Sequence, residues 1–303
     1  MSDSGGIRGV VPQSQHRLAV RKTYKLFVGG AFPRSESGRS YPVHGADGSL
    51  LAHAAQASRK DLRDAVVAAR RAVPGWSGAT AYNRGQVLYR VAEMLEGRSA
   101  QFTAEVSAAE GVASGRSAEI VAAAIDRWVW YAGWSDKLAQ VAGAANPVAG
   151  AYFNFSVPEP TGVVCILAPA ESSLLGLVSV LAPVIVTGNT AVVVPSEARP
   201  LPAVTLAEVL ATSDIPPGVV NVLTGRMAEL APVAASHRDV NALDLTGVPD
   251  ADRAALERAA AGNLKRVYGA GQHWGDEQWD SSPGIRRLLA TVEIKTVWHP
   301  VGI

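Results

Sequence analysis

The chain has 303 residues, enough for one large or two medium domains with a real core. Its 48% hydrophobic and 18% charged residues are those of an ordinary soluble globular protein, and a net charge of +1 gives no global field for nucleic acid, a membrane surface or an acidic substrate. The one cysteine, Cys165, excludes an intrachain disulfide framework and an intrachain zinc–cysteine cluster, and suits a reducing cytoplasm.

Residues 1–22 read as a disordered leader, because Met1 to Gln15 is polar and Gly/Ser-rich and lacks the apolar run of a signal peptide. Residues 23–145 hold short strands followed by helices. Tyr24 to Gly30 reads as a strand entering a turn, and turn residues at Pro33–Gly38 and Ala46–Ser49 separate further strand-like pieces. From Arg59 the apolar spacing turns helical through Leu62, Ala65, Val66, Ala69 and Val73, with Ser58 as N-cap and Pro74-Gly75 as the stop. Helices are expected over Asn83–Glu96 and Ala100–Glu110, then one long helix over Ser117–Val141, whose Trp128, Trp130, Tyr131 and Trp134 read as packing residues.

Residues 146–160 are strand-like, and over 161–268 short apolar strands alternate with helices. The strands are Gly162–Leu167, Thr190–Val194, Val219–Leu223, Val240–Leu245 and Leu264–Tyr268, and the helices Leu174–Val186, Pro202–Thr212, Met227–Ser236 and Asp250–Ala261. That alternation predicts an α/β fold with a Rossmann-like parallel sheet. The longest apolar run, Leu174–Val186, is too short to span a bilayer. Residues 269–288 read as a linker, and 289–303 as a terminal strand in which Val292, Ile294, Thr296 and Trp298 alternate with Glu293, Lys295, Val297 and His299, with no obvious partner nearby in sequence. His273, Trp274, Asp276, Glu277 and Asp280 match no standard ligand spacing, so no metal site is expected.

Several motifs carry a resemblance. Pro169-Ala-Glu-Ser-Ser, Leu181-Ala-Pro, Gly188-Asn-Thr-Ala-Val-Val-Val-Pro-Ser-Glu197, Pro216-Pro-Gly-Val-Val-Asn-Val-Leu-Thr-Gly225, Leu245-Thr-Gly247 and the tail Val292-Glu-Ile-Lys-Thr-Val-Trp298 occur in the order found in the aldehyde dehydrogenase superfamily. Leu26-Phe-Val-Gly-Gly and Tyr131-Ala-Gly-Trp-Ser-Asp-Lys137 resemble its N-terminal strand and the end of its long helix. The resemblance implies NAD(P)-dependent aldehyde oxidation for the family, with Pro169, Ser196, Glu197, Gly225, Thr246 and Gly247 at vestigial cofactor positions. It also implies an oligomerisation surface over Tyr152, Phe153, Phe155, Val292, Ile294, Thr296 and Trp298.

The departures bear on function. Glu171 stands where the family has an oxyanion-stabilising asparagine, and a carboxylate there repels developing negative charge. Val194 replaces a cofactor-binding lysine, and Val248-Pro249 replaces a serine at the pyrophosphate, which suggests that side chains partly fill the cleft. Tyr268-Gly-Ala-Gly replaces the motif holding the glutamate base, and a short linker stands where the domain with the nucleophilic cysteine is expected. Cys165, inside the first apolar strand, reads as a small buried hydrophobe. Asp244 and Glu171 are a conceivable carboxylate pair of unfixed separation, and Gly225 and Gly247 have a second reading as turn glycines alone.

These readings give no catalytic residue and no expected cofactor, with NAD(P) binding as the alternative. Without the covering domain, apolar surface is expected to be exposed, and a homodimer would leave the tail strands unpaired. The expected role is a cytoplasmic structural or regulatory subunit that hetero-oligomerises with a full-length aldehyde dehydrogenase paralogue. The alternative is an NAD(P)-binding module contributing to aldehyde oxidation in trans.

Overall fold

The computed structural model describes residues 21–269 and 279–302. Strands β1 (Thr23–Tyr24), β2 (Ser40–His44) and β3 (Leu50–Ala55) form a small sheet in the order β1-β3-β2. Lys22, assigned to the leader by the sequence, is anchored here, since its ammonium lies 2.7 Å from Glu208.

Helices α1 (Arg59–Gly78), α2 (Ala81–Glu96), α3 (Ser99–Glu110), α4 (Ser114–Ala132) and the short α5 (Leu138–Ala142) follow. Ser58 caps α1 in a reciprocal box: its hydroxyl accepts from the N–H of Lys60 and Asp61, and the Asp61 carboxylate accepts from Ser58 N–H at 2.8 Å. The expected stop at Pro74-Gly75 does not occur, and α1 runs through it to Gly78. An interior proline costs about 3 kcal/mol. Beyond it, Trp76 is buried and its indole N–H donates to the Ile185 carbonyl at 2.8 Å, so packing outweighs the lost helix bond. The single helix expected over Ser117–Val141 is two. Gly133, a poor helix former, caps α4, and a turn over 133–137 redirects the chain into α5.

Strands β4 (Ala144–Asn146) and β5 (Tyr152–Pro160) lead into the parallel unit: β6 (Val163–Leu167), α6 (Leu175–Val186), β7 (Thr190–Val194), α7 (Leu201–Leu210), β8 (Val220–Val222), α8 (Met227–Ser236), β9 (Ala242–Asp244), α9 (Asp250–Ala261) and β10 (Arg266–Tyr268). The five strands lie in the order β10-β9-β6-β7-β8, all parallel, so the order reverses beside β6. Side chains alternate across the sheet into two cores. Val164, Ile166, Ala191 and Val193 face α2, α4, α6 and α7, whereas Val163, Cys165, Leu167, Val192 and Val194 face α1, α8 and α9.

The end of the chain departs from expectation. A short helix, α10 (Arg286–Ala290), precedes β11 (Val292–Pro300), so Leu289 and Ala290 are helical. The tail strand has a partner within the chain: β11 pairs antiparallel with β5 over its whole length, in the sheet order β11-β5-β4. No local periodicity could reveal a pairing whose strands are separated by the entire parallel unit.

The register of this sheet fixes its edges. Thr161 N–H donates to the Thr291 carbonyl at 3.2 Å and Val301 N–H to the Ala151 carbonyl at 2.9 Å, which places odd-numbered residues of both strands on their shared ladder. Even-numbered residues of β5 therefore face β4. That strand begins at Ala144 opposite Ser156, so Pro158 and Pro160 occupy the stretch beyond it. Even-numbered residues of β11 direct their backbone groups to the outside.

Candidate functional site

In open parallel sheets, ligands bind outside the carboxyl ends of the strands, where the order reverses. Here that point lies between β6 and β9, and the backbone closes it. Gly247 N–H donates to the Leu167 carbonyl at 2.8 Å, and a Cβ on Gly247 would lie 1.9 Å from the Ala168 carbonyl oxygen. Glycine is required at 247 by this seam. Gly225, with φ +156°, passes close to Ala57.

Beside the seam, a cleft of about 370 Å³ opens between α8 and α9, lined in part by Glu197, Met227, Ala231, Val248, Asp252 and Leu256. Its walls are largely apolar. At one end Glu197 forms an ion pair with Arg226 and accepts from Met227 N–H at 3.4 Å, at the N-terminus of α8. At the other end α9 begins with Asp250 and Asp252 in its first turn and no side-chain cap. The two carboxylates complement the positive end of the helix and repel another anion. Val248 N–H is already bonded to the Leu245 carbonyl at 3.0 Å. Val194 and Val248 are both buried, and Val248 alone of the two lines the cleft, which stays open between the helices.

The other vestigial positions are engaged internally. Ser196 is buried, its hydroxyl donating to the Ala170 carbonyl at 2.9 Å and accepting from Arg199 N–H at 3.2 Å. Pro169 is buried. The Thr246 hydroxyl donates to Asp244 and accepts from Arg287 at 3.1 Å. Cys165 lies in the middle of β6, fully buried, and burial with the nearby Asp244 pushes its thiol up to about 12. Glu171 is exposed, whereas Asp244 is buried against an arginine, so the two carboxylates sit in different environments.

The segment read as a linker supplies residues that sequence reasoning missed. Arg287, on α10, lies 2.8 Å from Asp244, with side chains 10% and 5% exposed, and its guanidinium sits 4.6 Å from the Tyr268 ring centroid. Arg127, on α4, donates to the Ser179 hydroxyl at 2.8 Å and to the carbonyls of Trp279 and Ser281 at 2.7 and 2.9 Å. Together they tie residues 279–290 across the carboxyl ends of β9 and β10, around a cavity of about 390 Å³. Asp244 carried the available signal, being a carboxylate inside an apolar parallel strand that needs a buried cation.

Asp280 pairs with exposed Arg116, while His273, Trp274, Asp276 and Glu277 lie outside the described residues. Among the described residues, no three His, Cys, Asp or Glu side chains gather as a metal site would need, and no helix is long and apolar enough to cross a membrane. Of the surface positions, Tyr152, Phe153, Ile294 and Trp298 are exposed and Phe155 is half-buried, while Thr296 shares a hydrogen bond with Ser156 and Val292 is buried.

Residues 33–269 match the model of the Aldehyde dehydrogenase family. The chain is 32% identical over 264 residues to retinal dehydrogenase 2 of Homo sapiens, covering 85% of this chain and 50% of that one. It is 31% identical over 269 residues to cytosolic 10-formyltetrahydrofolate dehydrogenase of Mus musculus, covering 85% of this chain and 29% of that one. Among solved structures, an NAD+ complex of an aldehyde dehydrogenase from Bacillus cereus superposes with a TM-score of 0.76 at 25% identity, over 81% of this chain and 50% of the other. A Burkholderia cenocepacia structure described as a putative aldehyde dehydrogenase gives the same TM-score at 30% identity, over 80% and 50%. The chain thus spans about half the length of retinal dehydrogenase 2 and of both solved structures.

Proposed function

The chain belongs to the aldehyde dehydrogenase family, and from that premise we propose that it serves as a non-catalytic subunit, structural or regulatory, of a full-length aldehyde dehydrogenase in the cytoplasm. One observation carries the reading: the only sulfur nucleophile in the sequence is Cys165, sealed inside β6 with a thiol that ionises only near pH 12. Covalent aldehyde oxidation needs a thiolate that can reach the carbonyl, an oxyanion donor and a base. Here Glu171 and Tyr268 occupy the positions that the resemblance gives to the donor and the base. Between β10 and β11, residues 279–290 cover the ends of the sheet. The outward edge of β11, with exposed Ile294 and Trp298, supports docking of a partner strand. Co-expression with full-length family members followed by sizing tests this. A stable mixed assembly is expected, and a chain that ignores every such partner overturns it.

The cleft between α8 and α9 favours a second reading, an NAD(P)-binding module that completes an active site in trans. The B. cereus relative is described as an NAD+ complex. The residues fit only part of such a cofactor: the apolar walls suit a flat ring and Glu197 suits a ribose diol, but Asp250 and Asp252 oppose a pyrophosphate at α9. The Asp244–Arg287–Tyr268 cluster also occupies the sheet end beyond β9 and β10. Calorimetric titration with NAD and NADP separates the readings. Binding no tighter than about 1 mM, roughly −4 kcal/mol, accords with the subunit role, and micromolar binding favours the module.

A further inference from the structure

The outward edge of β11 is complementary to itself, and we infer that the free chain closes this edge with a second copy, joining two three-stranded sheets into one of six strands. The inference goes beyond the subunit reading, because it concerns the chain without its partner. Among the described residues β11 bonds only to β5, so the backbone groups of Val292, Ile294, Thr296, Trp298 and the Pro300 carbonyl form an unused edge. An antiparallel ladder there must set outward residues opposite outward residues. Of the two-fold registers obeying that rule, the one centred on Thr296 overlaps the whole of β11.

In that register Thr296 faces Thr296 of the second copy across the axis, and Ile294 faces Trp298 in both directions. The two exposed apolar side chains of this edge therefore cover one another. On the opposite sheet face, Glu293, already paired with Arg266, meets His299, and Lys295 meets Val297. No like charges are opposed. Native sheets guard exposed edges with charged side chains, prolines, bulges or inward charges. The charges of β11 are engaged within the chain, Glu293 by Arg266 and Lys295 by Glu159, its outward proline, Pro300, stands only at the end of the strand, and its register with β5 has no bulge.

Cross-linking tests the register. In a hydrogen-bonded antiparallel pair the facing Cα atoms lie about 5.5 Å apart, within disulfide reach. Thr296→Cys places two thiols across the axis, and mild oxidation is expected to give a covalent dimer on a non-reducing gel, since buried Cys165 does not compete. Glu293→Cys sets each thiol against His299 and is expected to stay uncross-linked; equal cross-linking of both variants overturns the register. For the unmodified chain, sedimentation is expected to show a dimer that dissociates on dilution, and Thr296→Pro, whose lost N–H points outward, is expected to be monomeric with an unchanged circular dichroism spectrum. A chain that is monomeric at every concentration yet takes a full-length partner overturns self-pairing and leaves the subunit reading standing. A dimer that ignores every partner does the reverse.

Discussion

Arg287 reaches back across 43 positions to Asp244 and holds its carboxylate at 2.8 Å in a nearly dry site. The same carboxylate accepts from Thr246 N–H at 2.9 Å, and the guanidinium lies against the rings of Tyr268 and Trp279. A charge is tolerated at the end of an apolar strand because its partner arrives from the far end of the sequence.

Removing one member of that pair leaves the other buried without compensation. Arg287→Met is expected to lower the unfolding free energy by about 3–5 kcal/mol in urea titrations. Adding Asp244→Leu to Arg287→Met is expected to restore most of it. A double variant as unstable as the single one would show that the pair is not what holds residues 279–290 down.

Cys165 is expected to be silent towards thiol reagents in the native state. Because its thiol is raised to about 12, it stays protonated at pH 8, and burial also denies access. Ellman's reagent is expected to count no thiol in the folded protein and one after denaturation. Rapid native labelling would contradict both the burial and the non-catalytic reading.

Glu105 carries a pH signature. Burial raises its carboxyl above the ordinary value, while one oxygen accepts from Thr205 and Gln101, each at 2.9 Å, and the other has no partner. A carboxyl raised by folding contributes stability below its unfolded value and loses that contribution as pH rises through its folded value. Glu105→Gln is therefore expected to raise the melting temperature at pH 7, with a gain that shrinks towards pH 4. A gain independent of pH would point to another cause.

The acidic start of α9 is expected to weaken dinucleotide binding. Asp250→Asn with Asp252→Asn removes two negative charges from the first turn and is expected to tighten NAD binding several-fold, measured by calorimetry at low salt, with little effect on adenosine. An unchanged NAD affinity would place the obstacle elsewhere, at the Gly247 seam or the Arg287 cluster.

The parallel unit was legible because each strand is a short apolar run bounded by turns, and because the motifs around Gly188 and Pro216 are local. The same locality explains the misses. Pro74 reads as a helix stop until Trp76 is seen to bond to Ile185, more than a hundred positions away. Residues 279–288 read as linker because two arginines and a tryptophan show no periodicity, and their partners Arg127 and Asp244 are distant in sequence. At the cofactor positions, Glu197 was recognisable by motif. Its engagement with Arg226, and the seam that uses the Gly247 amide, depend on geometry between strands.

Pro158 and Pro160 give the tail sheet a direction. On the flank where β4 stops, their missing amide hydrogens deny a newcomer two rungs, and β4 itself is only three residues long. Recruitment through β11 consumes the receptive flank and leaves only the refractory one. A molecule joined through β11 in this way has no second receptive flank, which opposes stacking into filaments.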